Sequence, residues 1–461
     1  MNWNKMNLYS SFLRYIAIPA VLKKEKQFSA LNQFALYMKS QYWTQQELLD
    51  YQWEQLRTLL EYAYANCPYY TDLFNRLSLT PASFKTPDDI SQLPILTRDD
   101  IYEHRRHLIS RQYQPENLFK FYTGGTTGQQ ASMYLNQESF NKKLAIAWRF
   151  EQWMGKEIPD KMVYFWPASM DIVERKSFKA AFKQRYIMRQ VVFHAGGDNP
   201  SLMRKFYDDF VAFKPKFIKA FPSSLYCFAE YLEREQLSIP SIKGIMSTGE
   251  VLYPQQRAKF ESVFQTHVFD MYGSREVGNT SGECEHHTGL HIASEISYVE
   301  YITDNRPANI GEEGSIIITD LTNFGMPIIR YQINDYGIPV SETCSCGRNL
   351  PLMSSTKGRL EDYFWGPDGT KYNGNVLGFH ISTAEDNVEI GQIQFIQKSL
   401  THFHVRITNR PEPTPEVFSY IKNKMREIID PGLEITIEVV DNIPAEKSGK
   451  TRYVICEIPP P

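Results

Sequence analysis

A chain of 461 residues is longer than a single hydrophobic core supports, so two or three domains are expected. With 42% hydrophobic and 22% charged residues, and 28 each of Tyr and Phe, it has the composition of a soluble globular protein rather than a disordered one. A net charge of −3 gives no global positive field, which argues against nucleic acid as a partner, and six cysteines in so long a chain make no disulfide framework.

The first apolar stretch, FLRYIAIPAVL (12–22), is broken by Arg14 and Pro19 and followed by Lys23 and Lys24. It is too short to span a bilayer and lacks the unbroken apolar core and cleavage site of a secretion signal. The chain therefore reads as cytoplasmic, with residues 1–43 as a peripheral helical extension and peripheral membrane contact through the N-terminus left open. A capping-box spacing from Thr44 to Glu47 then opens a helix whose Leu49, Trp53, Leu56, Leu60 and Ala63 recur at core-facing intervals. LPILTRDDI (93–101) gives an extended piece and a second helix start at Thr97.

Further on, the short apolar runs MVYFW (162–166), FIKAF (217–221), IKGIMS (242–247) and VFDMY (268–272) alternate with amphipathic stretches, the pattern of an α/β layer architecture. GSIIITDL (314–321) and MPIIRYQI (326–333) flank the turn TNFG as an antiparallel hairpin. In the last hundred residues HFHVRI (402–407) alternates as a strand. Val417, Phe418, Ile421, Met425 and Ile428 form a helical stripe behind Pro415, and Leu433, Ile435, Ile437 and Val439 alternate again. The fold class is thus α/β, with a large multi-sheet N-terminal domain (1–361) and a small α+β C-terminal domain (362–461), divided near GRLEDYFWGPDGT (358–370).

FYTGGTTGQQ (121–130) can be a surface turn or a phosphate cradle, because glycine admits close backbone approach and threonine supplies hydroxyls. A Walker loop needs Lys and Ser or Thr directly after its last glycine, and Gln129 and Gln130 stand there instead. The N–H groups and the hydroxyls of Thr123, Thr126 and Thr127 could still clasp phosphate, with a cation brought from elsewhere. PAEKSGKTRYVI (444–455) offers one. A second constellation comes from CEHHTGLH (284–291) and CSC (344–346): Cys284, His286, His287, His291, Cys344 and Cys346 suffice for a Cys₃His structural zinc site, with His291 the favoured histidine. The plainer alternative is reduced cysteines beside surface histidines.

Taken in order, YTGGTTG (122–128), STGE (247–250), MYGSREVG (271–278), IRYQINDYG (329–337), GRLED (358–362) and SGKTR (448–452) resemble the adenylate-forming superfamily of acyl-CoA synthetases, luciferases and nonribosomal adenylation domains. LPILTRDDI and the CSCG segment tilt the resemblance toward phenylacetate-CoA ligases, F390 synthetases and capsular-polysaccharide-biosynthesis proteins. It covers all but roughly the first 50 residues, and six ordered motifs are far more specific than one.

The resemblance implies ATP-dependent activation of a carboxylic acid to an acyl-adenylate, followed by transfer to a thiol such as CoA. Alternatives are an amine or amino-sugar acceptor in polysaccharide biosynthesis, or a catalytically silent nucleotide-binding scaffold. It implies that Thr123, Gly124, Gly125, Thr126, Thr127 and Gly128 hold the β- and γ-phosphates, with Thr127 also catalytic. Gly249 and Glu250 would line the adenine site, and Tyr272 would stack on the base with Gly273 and Ser274 beside it. Glu276 would hold Mg²⁺, Asp335 would accept the ribose hydroxyls and Arg359 would assist ribose or phosphate. Asp362 would be the hinge of a mobile C-terminal domain carrying Lys450, which stabilises charge as carboxylate attacks the α-phosphate. The chain departs from the common pattern at Tyr122–Thr123, at Gln129–Gln130 where relatives carry proline, and at Asn334 in place of glycine. None of these removes a phosphate or ribose ligand. The walls of the acid pocket are expected from Tyr164, Phe165, Trp166 and Phe221 to Ser223.

Overall fold

The computed structural model describes residues 8–122, 132–166, 178–194, 200–250, 252, 254–354, 363–373, 377, 381, 393–409, 412–441, 443 and 454–459. A helical region comes first: α1 (Leu8–Phe12), a π turn (Leu13–Ala17), α2 (Ile18–Lys24), α3 (Ser29–Ser40), α4 (Gln45–Asn66), α5 (Pro68–Arg76) and α6 (Arg98–Leu108). The remaining helices are α7 (Gln137–Trp153), α8 (Phe178–Phe182), α9 (Pro200–Phe213), α10 (Pro222–Arg234), α11 (Pro254–Phe264) and α12 (Pro415–Ile428). The strands begin with β1 (Phe119–Tyr122), β2 (Ser132–Leu135), β3 (Met162–Trp166), β4 (Gln190–His194), β5 (Phe217–Ala220), β6 (Gly244–Thr248), β7 (Val268–Ser274), β8 (Gly278–Glu283), β9 (Leu290–Ile292) and β10 (Ser297–Thr303). They continue as β11 (Arg306–Pro307), β12 (Gly314–Asp320), β13 (Tyr331–Gly337), β14 (Pro339–Val340), β15 (Leu352–Met353), β16 (Tyr363–Trp365), β17 (Lys371–Asn373), β18 (Ile393–Gln397), β19 (His402–Thr408), β20 (Glu434–Val440) and β21 (Val454–Cys456).

Both expected helix starts are capping boxes. The Thr44 hydroxyl accepts the Glu47 N–H at 3.2 Å while the Glu47 carboxylate accepts the Thr44 N–H at 2.7 Å, and Thr97 with Asp100 repeats the pattern. The stripe of α4 is rotated from the expected one: Leu49 is 52% exposed, whereas Leu48 and Leu59 join Leu56, Leu60 and Ala63 inside. Within 1–43, α3 lies along α7 and buries Tyr37 completely.

Among the described residues the largest sheet has nine strands in the order β14-β15-β9-β8-β7-β6-β5-β3-β4. Strands β3 to β7 are parallel, and the sheet turns antiparallel at β8. Its parallel part is covered on both faces, as such strands require. Val163, Phe165, Ile218, Ala220 and Ile245 pack under α9, α10 and α11, while Met162, Phe217, Met246 and Phe269 face α3 and α7. A four-stranded sheet, β11-β10-β12-β13, stands beside it. Here the hairpin forms, but its second strand starts at Tyr331 instead of Met326. The delay has a cause: Arg330 takes φ +53°, its N–H donates to Thr319 Oγ1 at 2.9 Å, and its guanidinium grips Glu300 at 3.1 and 2.9 Å.

The C-terminal unit has a sheet of order β20-β19-β18-β21, with α12 burying Val417, Ile421 and Met425 against Phe395, Phe403 and Val405. The large multi-sheet N-terminal domain and small α+β C-terminal domain are therefore both present. The 361/362 boundary falls outside the described residues.

One buried ion pair ties the N-terminal domain together. Arg149 on α7 meets Glu295 at 2.5 and 3.2 Å, Ser40 at the end of α3 donates to the same carboxylate at 2.5 Å, and both charged side chains are sealed from solvent. Removing one partner strands a buried charge. Glu295→Gln should cost about 3–5 kcal/mol in urea unfolding, while Arg149→Met with Glu295→Met should recover much of the loss.

Candidate active site and metal centre

Ligands of open α/β sheets bind beyond the carboxyl ends of the parallel strands. The described motif residues gather there. Strand β6 ends at Thr248 and turns at Gly249 with φ +82°, where a Cβ would lie 2.4 Å from the Phe221 ring. Only glycine fits that turn without moving the ring. Phe221 stands edge-on to Trp166 with centroids 4.7 Å apart, and Trp166 meets Tyr164 at 6.2 Å. Of the expected pocket wall, Phe165 is a correction. Strand alternation turns it to the opposite face, into the core with Phe193 and Phe228, leaving Tyr164 and Trp166 on the other face of β3 and Phe221 just past the end of β5.

Thr248 pairs with Met271 on β7, so the Gly249–Glu250 turn lies next to Tyr272. Strand β7 slips register between Tyr272 and Gly273, and a Cβ on Gly273 would come within 2.5 Å of the Gly278 carbonyl oxygen. This close bend carries Ser274, whose Oγ accepts the Val277 N–H at 3.4 Å, and half-buried Glu276. The Tyr272 hydroxyl donates to Asp335 Oδ2 on β13 at 2.9 Å. Burial first, then the charge of Asp335, with a smaller push from Glu276, holds that phenol well above its usual pKa and therefore protonated. Gly249, Tyr272, Gly273, Ser274, Glu276 and Asp335 thus meet at one end of the sheet. Thr123, Gly124, Gly125, Thr126, Thr127, Gly128, Arg359, Asp362 and Lys450 lie outside the described residues.

Sequence reasoning missed a buried cluster below Tyr164. Glu151 on α7 receives Lys156 at 2.9 Å and Lys219 at 3.5 Å, with all three side chains nearly sealed. Burial lowers the pKa of Lys219; it also opposes ionisation of Glu151, but the two lysines outweigh it and hold that carboxyl low. The signal available was the single lysine in the otherwise apolar strand FIKAF.

The second constellation also assembles. The ligand atoms of Cys284, His291, Cys344 and Cys346 all lie within 4.8 Å of one another. Cys284 and Cys344 sulfurs are 3.6 Å apart, and Cys346 Sγ is 3.5 Å from His291 Nε2. That sulfur spacing is far from the roughly 2.05 Å of a disulfide. It is close to the ~3.7 Å edge of a tetrahedron with ~2.3 Å zinc–sulfur bonds. Burial lowers His291 to about 4, so the ring is neutral; its Nδ1 faces the Leu350 carbonyl at 3.4 Å, the tautomer that leaves Nε2 free to ligate. The N–H groups of His286 and Arg348 each point at a cysteine sulfur at 3.5 Å, and the Thr288 hydroxyl reaches Cys344 at 3.1 Å. Such donors stabilise thiolates. His286 and His287 turn instead to Ser345 and Glu283, at 2.7 and 3.2 Å.

Comparison with known proteins agrees with this geometry. The CapK C-terminal domain family matches residues 364–457. The phenylacetate-coenzyme A ligase of Thermus thermophilus is 23% identical over 328 residues, covering 69% of this chain and 71% of that protein. The ligase of the same name from Escherichia coli is 24% identical over 324 residues, covering 68% and 72%. Among solved structures, 2-hydroxyisobutyryl-CoA ligase with 2-HIB-AMP and CoA in its thioesterification state aligns with a TM-score of 0.61 at 18% identity, over 90% of this chain and 91% of that one. Its postadenylation state with R3-HIB-AMP aligns at 0.58 and 17% identity, over 91% and 93%. In sequence and in fold the chain is similar to members of the adenylate-forming superfamily. The sequence matches are to phenylacetate-CoA ligases and the CapK C-terminal domain, and the expected class, an AMP-forming ligase, is that of the relatives it matches.

Proposed function

We propose that the protein activates a carboxylic acid with ATP and Mg²⁺ and then passes the acyl group to a thiol, with CoA the first acceptor to try. The observation that carries this reading is the Tyr272–Asp335 pair beside the Gly249 turn. In the first half-reaction a carboxylate oxygen attacks the α-phosphorus of ATP and pyrophosphate leaves. In the second the acceptor sulfur attacks the acyl carbon, AMP leaves, and the thiol proton is lost to solvent. No covalent enzyme intermediate is required, so positioning and charge neutralisation supply the catalysis. Asp335 is a carboxylate that can accept from ribose hydroxyls, and the Tyr272 ring, pinned through its hydroxyl, offers a flat face to adenine. Glu276 provides the carboxylate for Mg²⁺. Thr123 to Gly128 cradle the phosphates, Glu250 borders the base, and Arg359 reaches ribose or phosphate. Tyr164, Trp166 and Phe221 wall the acid. The names of the curated relatives and of the 2-hydroxyisobutyryl-CoA ligase support the thiol acceptor, and six cysteines outside any disulfide suit a cytoplasmic location. An amine or amino-sugar acceptor, the capsule-associated alternative, would instead show itself by consuming the adenylate without CoA.

Lys450 is assigned to the first half-reaction alone. It belongs to the small domain (362–461), which would swing about Asp362; that 2-hydroxyisobutyryl-CoA ligase has been solved in both a postadenylation and a thioesterification state supports such an alternation. Lys450→Ala should lower acid-dependent pyrophosphate release by roughly 10²–10³-fold, the scale for losing a key charge stabiliser. Supplied with pre-formed acyl-adenylate and CoA, the same variant should transfer at a rate close to the parent's. Equal damage to both steps would remove the assignment.

Cys284, His291, Cys344 and Cys346 are proposed to hold a structural zinc ion, since four protein ligands leave no open position for chemistry. The metal would staple the β8–β9 turn to the loop ahead of β15. Purified protein should carry near-stoichiometric zinc by elemental analysis, and Cys344→Ala should lose both metal and thermal stability. Metal-free protein of undiminished stability would contradict the site.

A further inference from the structure

We propose that the N-terminal helices and the segment 178–189 form one surface that docks on an anionic lipid bilayer. A surface helix ordinarily has one apolar stripe, turned inward. The segment from α1 through α2 has two. Leu13, Ile18 and Leu22 are buried against Leu31, Trp148, Ile158 and Ile187. Leu8, Phe12, Tyr15 and Ile16 nevertheless face solvent, at 88%, 49%, 66% and 59% exposure. The outward stripe continues across a neighbouring element: the Tyr9 hydroxyl donates to the Tyr186 carbonyl at 2.8 Å, and Tyr186 and Phe182, each 50% exposed, pack ring to ring at 4.8 Å. Between the two elements a cleft of about 480 Å³ opens, edged by Val21, Lys24, Lys179 and Phe182.

The charge around these rings identifies the partner. Residues 8–26 carry Arg14, Lys23, Lys24 and Lys26 against the single acid Glu25, and residues 178–189 carry Lys179, Lys183, Arg185 and Arg189 with no acid. This concentration sits on a chain whose overall charge is −3. Glu25 is held by Lys183, and Arg14 by Glu157 at 2.9 Å, while Lys23, Lys24, Lys26 and Lys179 stand exposed at the rim. Protein interfaces deplete lysine. A headgroup layer suits this composition: tyrosine rings settle at the boundary, apolar tips enter the acyl region, and lysine stems extend along the surface to reach lipid phosphates. Among the described residues no helix is long and apolar enough to cross a membrane, so the segment would lie in the interface. The inference is independent of the proposed ligase activity.

The test is co-sedimentation of the full chain with phosphatidylcholine vesicles, with and without phosphatidylglycerol, at low and raised salt. Binding to the anionic vesicles alone is expected, weakened on the order of tenfold as added salt screens the lysines. Phe12→Ser with Ile16→Ser, and separately Lys23→Glu with Lys24→Glu, should each abolish it while the unfolding midpoint stays at the parent value. Failure to bind anionic vesicles would overturn the proposal, as would binding unaffected in both variants. A concentration-dependent dimer in sedimentation equilibrium, lost in Phe12→Ser with Ile16→Ser, would assign the face to a second copy instead.

Discussion

The hydrogen bond from Tyr272 to Asp335 joins the two sheets on which the site depends. Tyr272 stands on β7, the last parallel strand of the nine-stranded sheet, and Asp335 on β13 at the edge of the four-stranded one. A hydrogen bond to a charged acceptor contributes about 1.5–3 kcal/mol, too little to hold two sheets together by itself. Packing supplies the rest, through Leu290, Ile292 and Met353 against Tyr272, Val299 and Tyr301. The bond instead sets direction. Burial and the neighbouring carboxylate keep the phenol protonated, so it donates and Asp335 accepts, and the ring has one orientation beside the Gly249 turn.

Conformation at a few backbone positions then brings the neighbours within reach. Gly249 must be glycine because of its positive φ and the Phe221 ring against it, and Gly273 because the Gly278 carbonyl leaves no room for a Cβ. The bend at Gly273 leads the chain to Glu276, whose charge acts on Tyr272. The cysteine–histidine cluster lies along the sheet beyond β8, where His291 pairs with Leu352 of β15 and Trp153 meets the His291 ring edge-on at 5.5 Å. Arg348, two residues after Cys346, bonds Glu285 at 2.9 Å and Gln41 at 3.1 Å, linking the cluster to the end of α3.

Much of this was legible in the sequence because the signals were local. Capping boxes at Thr44 and Thr97 involve residues three apart, the strand runs are bounded by turns, and the four candidate metal ligands fall into two short segments. Long-range pairing was not legible. Nothing near Arg149 points to Glu295, nor does anything near Glu151 point to Lys219, and these partners emerge only once α7 lies on the sheet. The facing of Phe165 and the rotation of α4 toward Leu48 and Leu59 likewise depend on which layer covers each element. Arg330 delays the second strand of the hairpin through a left-handed backbone that its contacts to Glu300 and Thr319 hold, a tertiary effect without a turn residue to announce it. The roles proposed for Thr123 to Gly128, Arg359, Asp362 and Lys450 rest on the order of motifs along the chain.

The central claim is that this protein makes an acyl-adenylate. Exchange of labelled pyrophosphate into ATP, screened across aryl, fatty, amino and sugar acids with Mg²⁺ present, tests it most directly, because only reversal of adenylate formation returns the label. The account predicts exchange that depends on one class of acid and on Mg²⁺. ATP that binds but undergoes no exchange with any acid in the panel, or is cleaved to ADP and phosphate, would contradict it.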